Sequence, residues 1–509
     1  MSQRLTIPDA WKEGLPLLIA GAFAFVWVVF RAHLQSVTID EADSYLNAVV
    51  LPWASHWYPG SGNHLLNSLL MRLLAWLFGM SHLAMRAPAL LGGLLYTVAA
   101  YRICRLIGEQ RWLSFLLFVC LVYNPFVMDY MVAARGYGLA IGFFMTGLYL
   151  LLRNVLSPRN SADALSRDGM WISLCAALSF SANFSYAYAN LAMLGAYLTY
   201  AWPRTGDKKP LAAKVAAPGL AVFVLVDLTT VLRWPKGQLY YGAESLSGML
   251  RSIQHSLFFE LREALVNPLL LDILAWIQPW LIPTGTALLA ATIGGLLYRR
   301  APADSTRGRL LRATLILLAI AASTLFVHWL QFKLWKIPLP QERTGLFFLP
   351  LTMLAFGLGM AACDDAAVFK WFRAAGTALL LISAIYFVGC LRLMYFAEWN
   401  WDADVRTAFP VLEQVARKSG IQDVAPVWQY KSVMNFYRLY FHDTDLLPLF
   451  KFDDPLVPGH PIYVLDENAY DNFIKKNNLR VIFRGALSDL AIAVTPQVAD
   501  AIGFKPEQR

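Results

Sequence analysis

The chain has 509 residues, of which 58% are hydrophobic and 15% charged, where soluble proteins run at roughly 45–50% and about 25%. That balance excludes a secreted soluble enzyme, a disordered chain and a coiled coil. The 43 Lys and Arg residues exceed the 34 Asp and Glu by 9, yet they form no patterned basic patch. Membrane lipids are therefore the expected surroundings, and nucleic acid is not an expected partner.

In chain order, apolar stretches long enough to cross about 30 Å of hydrocarbon, some with tilt or as paired helices, fall near 15–33, 86–107, 112–132, 136–153, 170–185, 187–202, 215–234, 270–298, 312–332, 345–362 and 373–391. The first runs into Arg31 and His33 with no small-residue cleavage pattern behind it, so it reads as an uncleaved helix. With a cytoplasmic N-terminus, the clusters Arg102-Arg105-Arg111, Lys208-Lys209-Lys214, Arg307-Arg309-Arg312 and Lys370-Arg373 all fall in cytoplasmic loops, as the positive-inside rule requires. The leucines of His64 to Phe78 also recur at helical spacing. A crossing there would invert every later loop and bury Arg72 at roughly 2.5–3.5 kcal/mol. The segment is expected instead as an amphipathic helix along the outer interface, within a long first external loop, residues 34–85.

After Leu391 charges become frequent and apolar runs shorten to strand length at Ile462 to Leu465, Arg480 to Phe483 and Leu490 to Val494, with Glu467 to Lys476 helical. The expected fold class is therefore mainly α: a polytopic membrane protein of about eleven transmembrane helices over residues 1–391, with a small extracytoplasmic α/β domain over residues 392–509. The five cysteines lie in or beside apolar segments with neither zinc-site nor disulfide spacing.

The densest chemistry is Ile39-Asp40-Glu41-Ala42-Asp43-Ser44-Tyr45, three carboxylates within four positions beyond the first span. Asp40 and Glu41 have the chemistry of a base for a hydroxyl proton, or of hard oxygen ligands for a divalent cation such as Mg or Mn. Acids here also mark a water boundary, and spacing does not separate these roles. Asp227 falls inside a span, where an acid marks a cavity or a buried pair.

Three segments carry a resemblance: the acidic loop itself; Asn63 to Gly79 followed by Met85-Arg86-Ala87-Pro88; and Asn124 to Phe144 with its Arg135-Gly136-Tyr137-Gly138-Leu139. Together they resemble the GT-C membrane glycosyltransferases, in particular the family-39, Rgt-type proteins, which are similar to protein O-mannosyltransferases and aminoarabinose transferases. The resemblance covers roughly residues 10–200 well and the rest loosely. It implies a bacterial cytoplasmic-membrane enzyme that takes a sugar from a polyprenyl-phosphate donor and transfers it, with inversion, to an extracytoplasmic glycan, lipid or protein acceptor. Asp40 and Glu41 match the family's Asp-Glu pair and are the implied catalytic residues, holding the cation where one is used. Asp43 and Tyr45 of the same loop, His64 at the head of the interfacial helix, and Arg135 and Tyr137 of the Arg-x-Tyr-x-Leu segment are implied substrate contacts, while on its residues alone His64 equally suits a helix cap or interfacial side chain and Arg135 a clamp on the helix bundle. Asp129 is a candidate second carboxylate or a partner of Arg135. A departing lipid phosphate needs cations at membrane depth, and Lys336 and Arg343 lie between two spans where they can supply them. One departure is the stretch Ser181 to Asn190, which lacks a histidine that family members often carry there.

Two other readings suit this composition. A lipid-linked glycan transporter or flippase would place its charges near the bilayer midplane, whereas here they gather at one face, with Asp227 the main exception. A non-catalytic subunit of the same fold would leave the C-terminal domain as the working part.

Overall fold

The structure is a computed structural model that describes residues 9–60, 62–108, 110–158, 161–235, 237–259, 261, 268–300, 302, 304–363, 366–451 and 456–504. All eleven expected spans fall on helices. Seven are long and apolar enough to cross a membrane: α1 (Asp9–Leu34), α4 (His82–Arg105), α7 (Tyr137–Leu156), the run of α10 (Lys208–Val222) through a π-helical turn into α11 (Leu228–Leu232), α13 (Pro268–Tyr298), α14 (Thr306–Trp335) and α16 (Ala367–Gly389). The chain is thus a multi-pass membrane protein. The other four, α5 (Arg111–Val122), α8 (Ala162–Ala182), α9 (Ala187–Ala201) and α15 (Phe348–Ala361), are shorter or more polar and pack inside the bundle.

The stretch 112–132 is not one helix. Asn124 Oδ1 accepts from Phe126 N and Val127 N at 3.1 and 3.2 Å, and Pro125 brings no N–H, so α5 stops and a short α6 (Pro125–Tyr130) restarts. The break bends the chain so that Arg135 and the start of α7 come to the end of the bundle where α1 finishes. The helix expected along the interface is α3 (Leu65–Phe78). Its 14 residues extend only ~21 Å, and Arg72 turns back to donate to Ala48 O at 3.0 Å and to lie over the Trp53 ring. The remaining short helix of the first loop, α2 (Ile39–Tyr45), and α12 (Leu246–Leu257), between α11 and α13, meet at the same end.

The C-terminal part is a four-stranded sheet in the order β1-β2-β4-β3, with β1 (Val424–Pro426) parallel to β2 (Ile462–Asp466), and β4 (Leu490–Val494) antiparallel to both β2 and β3 (Arg480–Arg484). Helices α17 (Val405–Ser419), α18 (Trp428–Tyr440), α19 (Asp471–Lys476) and α20 (Pro496–Ala501) complete it. Burial falls into two apolar clusters. One fills the membrane bundle. The other joins the sheet and α17–α18 to Val37, Ala42, Tyr45, Met71, Met85 and Ala134, all from the first loop or its neighbours.

Candidate functional site

A capping box decides which acid of the first loop faces where. Thr38 Oγ1 accepts from Glu41 N at 3.2 Å while Glu41 Oε2 accepts from Thr38 N at 2.9 Å. That turns Glu41 inward and leaves Asp40 on the open face of α2. Asp40 Oδ2 stands 3.7 Å from Arg135 Nε and 3.8 Å from Arg343 Nη2. Arg135 is steadied by Ser44 Oγ at 2.9 Å, and Arg343 by an ion pair with Glu398 and by the rings of Tyr241 and Trp399 at 4.9 and 5.9 Å. Gly136, with φ +66°, makes the turn between Arg135 and α7; a Cβ there would meet Ala182 O at 2.2 Å and His64 Cβ at 2.8 Å.

Two cavities meet at Asp40, and Arg343 and Tyr241 border both. One, of about 870 Å³, runs between the membrane bundle and the C-terminal part, past Asp43, Glu398, Trp401, Trp428 and Lys431. The other, of about 480 Å³, runs between membrane helices past Phe180, Phe184, Tyr188, Val231 and His328 under a strap of Ile337, Pro338, Leu339 and Pro340. The strap is pinned by the paired backbone bonds Ala243 N to Leu339 O (2.8 Å) and Leu339 N to Ala243 O (2.9 Å).

Of the residues singled out in the sequence, Asp40, Asp43, His64, Arg135, Tyr137 and Arg343 line these cavities. Asp43 accepts from Ser432 Oγ at 2.5 Å, and burial raises its pKa against the pull of Ser432 and Arg135. The His64 ring packs against Tyr137 with centroids 5.4 Å apart. Burial, with Arg135 beside it, pushes its pKa far below the usual imidazole range and keeps it neutral.

Four expectations are corrected. Glu41 is fully buried: Arg86 Nε and Nη2 reach its two oxygens at 2.8 and 2.7 Å, and Ala134 N donates to Oε1 at 2.8 Å, so it faces neither cavity. Tyr45 is buried edge-on against Phe436 in the second apolar cluster. Asp129 pairs with Arg31 of α1, not Arg135, and accepts from Ala397 N at 3.0 Å. Lys336 caps α14 in a left-handed conformation and is exposed, outside both cavities. Asp227 is buried and accepts from Ser181 Oγ at 2.6 Å, a bond between neighbouring helices.

The sequence reading missed Glu398, which bonds Arg343 and receives the Tyr130 hydroxyl. Burial raises the pKa of its carboxyl, with Arg343 and Tyr130 opposing the rise. Arg343 in turn is held protonated: burial works against its charge, and Glu398 and Asp40 overcome it. The available signal for Glu398 was an acid set beside Trp399 and Trp401 just past the last span. A divalent ion does not fit Asp40 and Glu41 together, because both Glu41 oxygens are committed to Arg86 and backbone N–H groups while Asp40 faces two guanidiniums. Among the described residues no other group of three or more His, Cys, Asp or Glu side chains converges as ligands.

Fold and site together define a multi-pass membrane protein with a carboxylate set between two guanidiniums where two cavities meet. No protein-family model and no curated protein matches the chain. Among solved structures it is similar to ArnT from Cupriavidus metallidurans bound to undecaprenyl phosphate, at 13% identity and a TM-score of 0.46, with 96% of this chain and 99% of that one covered. The apo form of the same ArnT gives 13% identity and a TM-score of 0.43 over the same shares.

Proposed function

We propose that the chain is a GT-C type glycosyltransferase of a bacterial cytoplasmic membrane, moving a sugar from a polyprenyl-phosphate donor to an extracytoplasmic acceptor. The observation that carries this reading is Asp40, which sits between Arg135 and Arg343 and borders both cavities. The smaller cavity lies among membrane helices whose outer faces are apolar and exposed, such as Leu225 and Leu232, and suits a lipid-linked donor. The larger one, walled in part by the C-terminal α18, suits the acceptor.

In this reading Asp40 takes the proton of an acceptor hydroxyl as its oxygen attacks the anomeric carbon. The bond from that carbon to the phosphate oxygen breaks on the opposite face, which inverts the configuration. Its electron pair stays on the phosphate, and Arg135 and Arg343 receive the charge. The pairing of Arg343 with Glu398 fixes its position before the donor arrives, so little reorganisation is needed during the reaction.

The test is release of polyprenyl phosphate from a panel of radiolabelled polyprenyl-phosphate sugars, with total membrane extract as acceptor and the full chain in detergent. Asp40→Asn should lower release by about 10²–10⁴-fold while binding of bare polyprenyl phosphate persists. Equal release by wild type and Asp40→Asn would remove Asp40 from the chemistry.

A further inference from the structure

The smaller cavity contains more than a place for a phosphate. Three nitrogens on its wall, beyond Asp40, Arg135, Arg343 and His64, are buried: Trp234 Nε1 and His328 Nε2, which make no hydrogen bond, and Asn183 Nδ2, which reaches the Tyr137 hydroxyl. Each is held in place by a neighbour. Asn183 Oδ1 accepts from Ser185 N and Ser185 Oγ at 2.9 and 2.7 Å, which fixes the amide so that its NH₂ serves the Tyr137 hydroxyl and, with its second N–H, the cavity. Trp234 is braced edge-on by Phe184 at 5.1 Å. The His328 ring packs edge-to-face on Tyr188 at 4.8 Å and parallel to Phe347 at 6.2 Å.

Indole and carboxamide N–H groups only donate, and buried donors left without acceptors are costly. The complementary ligand therefore presents oxygen acceptors here. Charge points the same way: Asp40 is the one carboxylate among the described residues lining this cavity, and it already faces Arg135 and Arg343. An ammonium on the sugar would meet two guanidiniums and no free carboxylate.

We propose that Asn183, Trp234 and His328 form the donor-sugar subsite, and that it takes a sugar whose substituents are oxygens while disfavouring an amino sugar. This rests on the donor assignment made above. Tyr188 and Phe347 orient His328, and the strap of Ile337 to Pro340 lines the same cavity.

The experiment measures binding of four probes to the full chain in nanodiscs: bare polyprenyl phosphate and the same lipid carrying mannose, glucuronic acid or 4-amino-4-deoxyarabinose. Wild type should bind mannose or glucuronic acid carrier at least about tenfold more tightly than the amino-sugar carrier, and the two former probes separate a neutral from an acidic sugar. His328→Leu and Trp234→Phe should each remove most of the gain that the preferred sugar adds over bare lipid phosphate, with the bare lipid bound as before. Preference for the amino-sugar carrier, no gain from any sugar, or equal loss of bare and glycosylated lipid in both variants would overturn the subsite. Failure of wild type to bind any of the four probes would instead bring down the donor reading beneath it.

Discussion

Two adjacent acids in one seven-residue helix end up in opposite surroundings, one open to the cavities and one closed in. Asp40 is partly open, with two guanidiniums at salt-bridge distance and two cavities in front of it. Glu41 is closed in by Arg86, whose other N–H groups donate to Ala32 O, Gln35 O and Ser36 O at 3.0, 2.9 and 2.7 Å and so satisfy carbonyls at and just beyond the end of α1. Removing the charge of Glu41 leaves a guanidinium buried without its counter-ion, at a cost of about 3–5 kcal/mol. Glu41→Gln should therefore lower the thermal midpoint in detergent markedly, whereas Asp40→Asn should hold its midpoint and lose transfer. A Glu41→Gln protein that melts like wild type yet fails to transfer would assign Glu41 to the chemistry after all. The motif Asp40-Glu41 was legible from sequence, but the division of labour was not. It depends on Arg86, 45 positions away, and on a capping box whose consequence is a direction in space.

At the scale of elements, the strap from Ile337 to Pro340 leads into the turn that carries Arg343 and lines the same cavity, and the geometry that holds it is tight. Gly242 has φ +156°, and a Cβ there would stand 2.4 Å from Leu339 O and 2.6 Å from Pro338 Cβ, inside contact distance of a backbone oxygen and a proline ring that cannot rotate away. Next to it, Tyr241 stacks on Arg343 and donates to Glu342. Gly242→Ala should displace the strap, move Arg343 off Asp40 and lower transfer by about 10²-fold, the scale expected for a misplacement of ~1 Å at a reacting centre. Its melting should change little, because the strap is tied to the rest at few points. Full activity in Gly242→Ala would show that the strap does not set the position of Arg343. Helical spans, the short interfacial helix and the strands β2, β3 and β4 could all be read from periodicity and length, since those signals are local. The break at Asn124-Pro125 carries an equally local signal, a capping Asn with Pro in the first turn, but the partnership of Asp129 with Arg31 across 98 positions and that of Arg343 with Glu398 across 55 have none. They are choices among several nearby opposite charges, settled only when the helices pack.

For the whole molecule, the question is whether residues 392–509 form a separate body. The sheet and its helices have apolar burial of their own, but the cluster that contains it also takes Val37, Ala42, Tyr45 and Met71 from the first loop. Polar ties cross the same seam: Val37 N donates to Tyr437 Oη at 3.0 Å, Ile39 N to Asp402 Oδ2 at 2.8 Å, Ser36 Oγ to Ala403 O at 2.6 Å, and Arg406 Nη1 to His33 O at 2.8 Å. These bonds fall on the segment that carries Asp40 and on both sides of the capping box. Ser432 of α18 also holds Asp43, and Trp428 and Lys431 of the same helix form part of the larger cavity. Cutting the chain after Leu391 would thus remove Glu398 from Arg343, one wall of the larger cavity and the packing that holds α2 in register. The truncated protein should insert into membranes, since its apolar helices remain, but should show no transfer, and protease should cut its first loop far faster than in the full chain. Supplying residues 392–509 as a separate polypeptide should restore protection of that loop only if the seam reforms. A truncated protein with a protected first loop and undiminished transfer would show that α2 is held by the membrane bundle alone, and that the C-terminal part does no more than lie beside the site.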